Sequence, residues 1–369
     1  MIARPRLLHF QTTATFGGDE SNSLLLCQGL HDVEHQVAVY FGTGPMVEAW
    51  RRAGAQVRLL NLSPGSRIGL MASVRRTYRE VRPDGVFLSS VSLLPVVLKG
   101  LNGFGGRVLC HTGNPDSMTS STRLKFWIAR MWLRPSADVV VVHCSDYVRR
   151  SFLRNSFYSG YRHEVAVSAG LVPTGSVQNG PSHVPRDVAP DQPARIGMLA
   201  RLDKIKNHRL VIDSFGLILQ TYPEARLEFI GDGAEREALV NYSRVLGLSD
   251  RIVFHGRVPD PFPVVCQWDL FLYATTAAEG FGAALAEAVA LGMPCVVTDI
   301  GPMREVGGED GAVRYVAPDS ASELAAAAVE LLGNRQARSR MSELSRQRGK
   351  REFDGARFTA KIRECLRFP

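Results

Sequence analysis

The stretch Glu279-Gly280-Phe281-Gly282-Ala283-Ala284-Leu285-Ala286-Glu287 sets two carboxylates at the ends of a segment that opens on glycines and continues in strong helix formers. Glycines at a helix start leave backbone N–H groups bare, and with the positive end of the helix dipole these donors suit a phosphate or diphosphate. Carboxylates at neutral pH only accept hydrogen bonds, so Glu279 and Glu287 suit the hydroxyls of a sugar or ribose. Gly292 stops the helix, and Pro294 leads into Cys295-Val296-Val297-Thr298, which reads as a buried parallel strand. The chemistry suggested is that of a sugar nucleotide.

A diphosphate leaving group needs cations. The run Ala194-Arg195-Ile196-Gly197-Met198-Leu199-Ala200 reads as a strand, followed by Arg201, Asp203, Lys206 and Asn207 at its carboxyl end, where open α/β sheets bind ligands. Arginine offers a planar fork of donors and lysine a compact charge, so Arg201 and Lys206 can neutralise a departing nucleoside diphosphate. Two further strand-then-glycine units, Leu227 to Gly233 and Ile252 to Val258, fit successive βα repeats. Val108-Leu109-Cys110-His111 places a histidine at the tip of another strand.

Taken as a unit, E-G-F-G-x-x-x-x-E-A-x-A-x-G-x-P-x-V resembles the donor-sugar signature of retaining glycosyltransferases of family 4. The upstream Arg201 to Asn207 segment is similar to that family's G-R-L-x-x-x-K-G/N element. The resemblance implies an α/β protein of the GT-B fold, two facing Rossmann-like domains with a cleft between them. It implies retaining, metal-independent transfer of a sugar from a nucleoside-diphosphate sugar, with no cofactor beyond that donor. By resemblance the catalytic set is His111, Arg201, Lys206 and Glu279. The donor set is Gly17 and Gly18 in the glycine-rich loop after the first strand, Arg257 and Val258 at the base, Phe281, Gly282 and Ala283 at the diphosphate, and Glu287 at the ribose. Front-face attack, with the leaving phosphate oxygen taking the acceptor's proton, is the mechanism the resemblance implies. Departures occur at Ser168-Ala169-Gly170, where Asn-Gly is usual in the family, and at Ala274-Thr275-Thr276, where Pro-Ser is common.

The 369 residues suffice for two domains, and 45% hydrophobic with 22% charged is ordinary for a globular chain. Prolines and glycines crowd Pro173 to Pro193, which reads as a linker between two α/β units; the resemblance then implies residues 1–173 as the acceptor side, a linker 174–194, a donor domain 195–350, and a terminal helix 351–369 crossing back to the first domain. Charge divides there as well: residues 1–173 hold 20 Lys+Arg against 11 Asp+Glu, net +9, and the remainder 24 against 25, net −1. The six cysteines form no Cys-x-x-Cys pair and read as thiols of a reducing compartment. No apolar run approaches a membrane span or a signal peptide, and no Asp-x-Asp indicates a metal bridge. A Gly-x-Gly-x-x-Gly after the first strand, which a nicotinamide-dependent oxidoreductase would want, is missing.

On the Arg67 to Arg82 stretch, Ile68, Met71, Val74, Tyr78 and Val81 share one helical stripe and Arg75, Arg79 and Arg82 another; a second basic, aromatic run spans Arg123 to Arg134. Two readings stand: solvated arginines on ordinary helices, or reversible contact of a cytoplasmic protein with the anionic inner leaflet, for a glycan or lipid-linked acceptor. No nucleic-acid-binding motif accompanies the stripe. A nucleotide-sugar epimerase of the same fold and a catalytically idle binding partner are the alternative functions.

Overall fold

The computed structural model describes residues 4–15, 17–63, 67–116, 137–155, 158, 160–167 and 183–368, and the backbone alone at Arg67. The second basic run, Arg123 to Arg134, and the Ser168-Ala169-Gly170 departure lie outside the described residues. The chain divides into two compact units, Met1–Ser168 with Gly355–Pro369, and Ala169–Asp354.

The first unit holds seven strands, β1 (Arg6–Gln11), β2 (Glu34–Val39), β3 (Gln56–Leu59), β4 (Gly85–Leu88), β5 (Arg107–Thr112), β6 (Asp138–His143) and β7 (Arg162–Val165), in the order β3-β2-β1-β4-β5-β6-β7. Every described pairing is parallel. Parallel strands sit between helical layers and so read as continuous apolar runs, as Val139-Val140-Val141-Val142 does, all buried. The order reverses direction at β1/β4, the point at which doubly wound sheets open a crevice at their carboxyl ends.

The second unit repeats the plan with β8 (Arg195–Leu199), β9 (Arg226–Ile230), β10 (Ile252–Gly256), β11 (Leu270–Tyr273), β12 (Cys295–Thr298) and β13 (Arg314–Val316), in the order β10-β9-β8-β11-β12-β13. Its switch point is β8/β11. The chain leaving β8 carries Arg201 and Lys206, and the chain leaving β11 carries Glu279, so topology brings together groups more than 70 positions apart in sequence, as the Lys206–Glu279 separation of 73 shows.

Two boundaries differ from the sequence expectation. Of the expected linker, residues 183–194 are held by the second unit: His183 N–H donates to Leu291 O (3.0 Å), Arg186 pairs with Asp269 (2.6 Å), and Ala194 is fully buried. Prolines marked a break in periodicity there, but side-chain and backbone bonds tie the segment down. At the other end, the helix Arg335–Glu352 runs past residue 350, and the division falls at Asp354/Gly355. Phe353 stays with the second unit, its ring 6.1 Å from Phe281, whereas the helix Gly355–Leu366 buries Phe358, Ile362 and Leu366 against the first. Each such side chain contributes about 1.5–3 kcal/mol by burial, which fixes the helix to that unit.

Candidate active site

In the second unit, Lys206 and Glu279 form a buried ion pair, with side chains 13% and 9% exposed. Lys206 Nζ donates to Glu279 Oε2 and to Tyr273 Oη (2.9 Å), Tyr273 Oη donates to the same carboxylate oxygen (3.1 Å), and Gly280 N–H donates to Glu279 Oε1 (3.1 Å). Burial pushes the Glu279 carboxyl up, but the Lys206 charge and these hydrogen bonds outweigh it and hold the group below the usual glutamate range. Burial, reinforced by the Glu279 charge, drives the Tyr273 phenol well above its ordinary value, so it remains a donor. Thr275, where the family usually has Pro-Ser, is buried and donates to Ile205 O (3.0 Å), while Thr276 N–H donates to the same carbonyl (2.9 Å). Thr275 N–H and Thr298 Oγ1 are joined at 3.0 Å. The loops after β8 and β11 are thus stitched into one preorganised floor.

Arg201 leaves β8 with its side chain 69% exposed and, among the described residues, paired only to Asp203 (2.9 Å). The turn Gly231-Asp232-Gly233 braces this loop from below: Leu202 N–H donates to Asp232 O (3.1 Å) and Glu235 N–H to Leu202 O (3.0 Å). Gly231 has φ +135°, and a Cβ there would lie 1.9 Å from Ala200 O, so only glycine fits. The helix Ala283–Ala290 starts from Gly282 at φ +81°, ψ +56°, and the Gly282 carbonyl accepts from Leu285 (2.9 Å) and Ala286 (3.1 Å). The amides of Ala283 and Ala284 have no intrahelical partner, the arrangement that favours an anion. Phe281 is 5% exposed, its ring packed edge-on to Phe353. Glu287 is half-buried on the same helix, near enough for its charge to act on Tyr273. Arg257, exposed, and Val258, half-buried, follow the edge strand β10, two strands from β8, and make no hydrogen bond to the Lys206 cluster among the described residues.

In the first unit, His111 is 1% exposed near the carboxyl end of β5. Its Nδ1 lies 3.0 Å from Asp19 Oδ1 and its Nε2 3.3 Å from Asn22 Nδ2. A carboxylate only accepts and an amide nitrogen only donates, so neutral His111 carries its proton on Nδ1. Asp19 and Asn22 stand on the helix Gly18–Gly29, whose N-cap is Gly17. A Cβ on Gly17 would meet Glu20 Oε2 at 2.6 Å, while Gly18 has open space. Beside this pair runs a second relay: Thr112 Oγ1 donates to His143 Nδ1 (2.8 Å), His143 Nε2 to His163 Nδ1 (2.9 Å), and His163 Nε2 to Tyr158 O (3.0 Å). Burial, then the neighbouring His163, depresses His143 to about 3.

The structure therefore joins Lys206 with Glu279 directly, sets the Glu287 charge near Tyr273 and gives His111 the partner Asp19, whereas Arg201, Arg257 and Val258 make no hydrogen bond to these groups among the described residues. Sequence reasoning missed Tyr273, Asp19 and Asn22 as site members. The available signal for Tyr273 was a phenol ending an otherwise apolar strand at the switch point.

Two doubly wound parallel α/β units define a protein of the two-domain, Rossmann-like GT-B fold. Residues 193–334 match the family described as "Glycosyl transferases group 1". The chain is 37% identical over 112 residues to lipopolysaccharide 1,6-galactosyltransferase of Salmonella typhimurium, covering 30% of this chain and 31% of that one. It is 29% identical over 151 residues to N-acetyl-alpha-D-glucosaminyl L-malate synthase of Bacillus anthracis, covering 40% and 39%. The matched part thus spans under two-fifths of either relative. The crystal structure of Anabaena HepE in complex with UDP and glucose superimposes over 98% of this chain and 99% of that one with a TM-score of 0.78 at 19% identity, a likeness of fold.

Proposed function

We propose that the protein is a glycosyltransferase that moves a sugar from a nucleoside-diphosphate sugar to a glycan or lipid-linked acceptor, with retention at the anomeric carbon and without a metal. The observation that carries this reading is the buried Lys206–Tyr273–Glu279 cluster at the β8/β11 switch point, beside the helix start at Gly282. A preorganised cation and bare amides at such a point stabilise charge that develops on a leaving diphosphate. The match of residues 193–334 and the galactosyltransferase relative support the same reading.

In this mechanism Lys206 and Arg201 take the diphosphate oxygens, with the amides at Gly282 and Ala283. Glu279 fixes Lys206 and offers its remaining oxygen to a sugar hydroxyl. Glu287 accepts from the ribose diol, and Arg257 and Val258 border the base. Gly17 and Gly18 belong to the donor set, and the Asp19–His111 pair serves the donor sugar. The bond from the anomeric carbon to the phosphate oxygen breaks as the acceptor oxygen bonds on the same face, and the acceptor's proton passes to that phosphate oxygen. Exposed Arg75, Arg79 and Arg82 on the helix Arg67–Val81 and its end support a cytoplasmic protein that touches an anionic leaflet when the acceptor is lipid-linked. Among the described residues no helix is long and apolar enough to cross a membrane.

The test is incubation with UDP-, GDP- and ADP-linked sugars and candidate glycan acceptors in chelator, with NMR of the product. Nucleoside diphosphate release with a product of unchanged anomeric configuration supports the reading. An inverted product removes the retaining mechanism, an epimerised donor identifies an epimerase, and binding without turnover of any donor identifies an idle partner.

A further inference from the structure

The amino ends of β1, β4, β5 and β6 border a cleft of about 730 Å³ in the first unit, on the opposite edge of the sheet from His111. Arg107 and His111 share β5, four residues or about 13 Å apart at the strand's rise of ~3.3 Å, and the cleft opens beyond Arg107. Five arginines line it against two aspartates, a net side-chain charge of +3. Arg107, 5% exposed, is spent on Asp138 and on Cys365 O (2.7 Å), and Arg6 leans to Glu34 (3.6 Å) and Val81 O (2.8 Å). Arg82 and Arg367 make no side-chain hydrogen bond or ion pair among the described residues, and both are exposed.

These two have a further property in common. Arg82 ends the helix Arg67–Val81 at φ +48°, and Arg367 ends the helix Gly355–Leu366 at φ +57°. The left-handed residue after a helix is commonly glycine, because a Cβ is strained there. Two separate helices thus place an arginine, at a conformational cost, where each converges on one cleft. The helix ends themselves bring about half a negative charge apiece, roughly −1 together. The side chains outweigh this, leaving roughly +2 for a ligand. Pro5, Leu366 and Phe368 supply an apolar wall.

We propose that this cleft is a second ligand site, distinct from the donor site, for a small soluble molecule that carries two or more phosphate charges together with a ring that packs on Phe368. Its volume falls within the range of small-molecule sites. Arg82 and Arg367 clasp the phosphates, and Arg107 fixes the floor.

The test uses inorganic tripolyphosphate as probe, titrated calorimetrically at low salt into the Lys206→Ala variant, so that the donor site has lost its buried cation and whatever binding Arg201 and the Gly282 amides retain is common to both proteins compared. The comparison is the same variant with Arg82→Gly and Arg367→Gly added. Glycine relieves the left-handed strain, so the added changes leave the melting temperature equal or higher while the affinity falls at least tenfold. One-site binding with that loss supports the proposal. Absence of saturable binding in the Lys206→Ala protein, or equal affinity after both glycine changes, overturns it. Vesicles of anionic phospholipid form the second arm: binding that is lost with the glycine changes while tripolyphosphate does not bind would assign the arginines to a membrane surface and overturn the soluble-ligand site.

Discussion

Glu279→Gln removes one charge from the buried cluster while keeping its volume, and so measures whether Lys206 is held by an ion pair. Deleting one partner of a dry pair costs about 3–5 kcal/mol, because the other charge is left uncompensated. Lys206 retains 13% exposure and its bond to Tyr273 Oη at 2.9 Å, so the cost here is smaller, about 2–3 kcal/mol. At about 2–4 °C per kcal/mol for a domain of this size, the second unit melts about 4–12 °C lower. Lys206→Met in the same chain leaves no orphaned charge, so the double variant recovers part of the loss. The pH dependence has a definite sign. Because the folded Glu279 value lies below its ordinary 4.5, the contribution is present above that pH and fades as pH falls through the folded value, and the Gln variant lacks this component. Urea unfolding of parent, both singles and the double, followed by tryptophan fluorescence, reports the cycle. A Gln variant within about 0.5 kcal/mol of the parent, or a double variant as unstable as the two losses added, would refute the buried-pair account.

Other outcomes are equally open to measurement. Asp19→Asn should lower sugar-transfer turnover at least about tenfold, by releasing the orientation of His111, and parent-like turnover would remove the pair from the reaction. Gly231→Ala forces a Cβ to 1.9 Å from Ala200 O at φ +135°, so urea denaturation should show a loss of at least about 2 kcal/mol, against which a neutral result would count. His143 is depressed to about 3 from 6.5, so it stays neutral in the fold while the unfolded chain takes up a proton; stability therefore falls with pH between those values, by up to about 1.4 kcal/mol per unit. His143→Gln should flatten that slope by one proton in melts taken from pH 7 to 4, and an unchanged slope would contradict the assignment.

Much of the fold was legible in the chain. Apolar runs ending in glycine or polar turns, repeated with helical patterns between them, fit two doubly wound parallel sheets, because parallel strands are buried on both faces and cannot alternate. The Gly282 helix start was legible too, since a glycine before an Ala-rich run sets both conformation and bare amides locally. The edges of the units were less so. Prolines between 173 and 193 break periodicity whether a segment hangs free or, like Arg186 on Asp269, is tied to a domain. Phe353 and Phe358 share one apolar spacing, yet they belong to different units.

Residue types and local spacing determined which groups could do chemistry: Arg201, Lys206 and His111 were visible as a charge or ring at a strand's carboxyl end, and Glu279 and Glu287 as carboxylates at the two ends of a glycine-led helical segment. Only the tertiary structure decided which of them meet. Lys206 reaches Glu279 because the strand order places β8 beside β11, and Tyr273 joins them because the last residue of β11 turns its phenol to that same point. His111 finds Asp19 across 92 residues of chain because the strand order sets β5 two places from β1, whose following helix carries Asp19. Hydrophobic periodicity is a local property of a sequence, whereas strand adjacency follows from how whole layers bury one another, so the partners of a charge are set only when the sheet is complete.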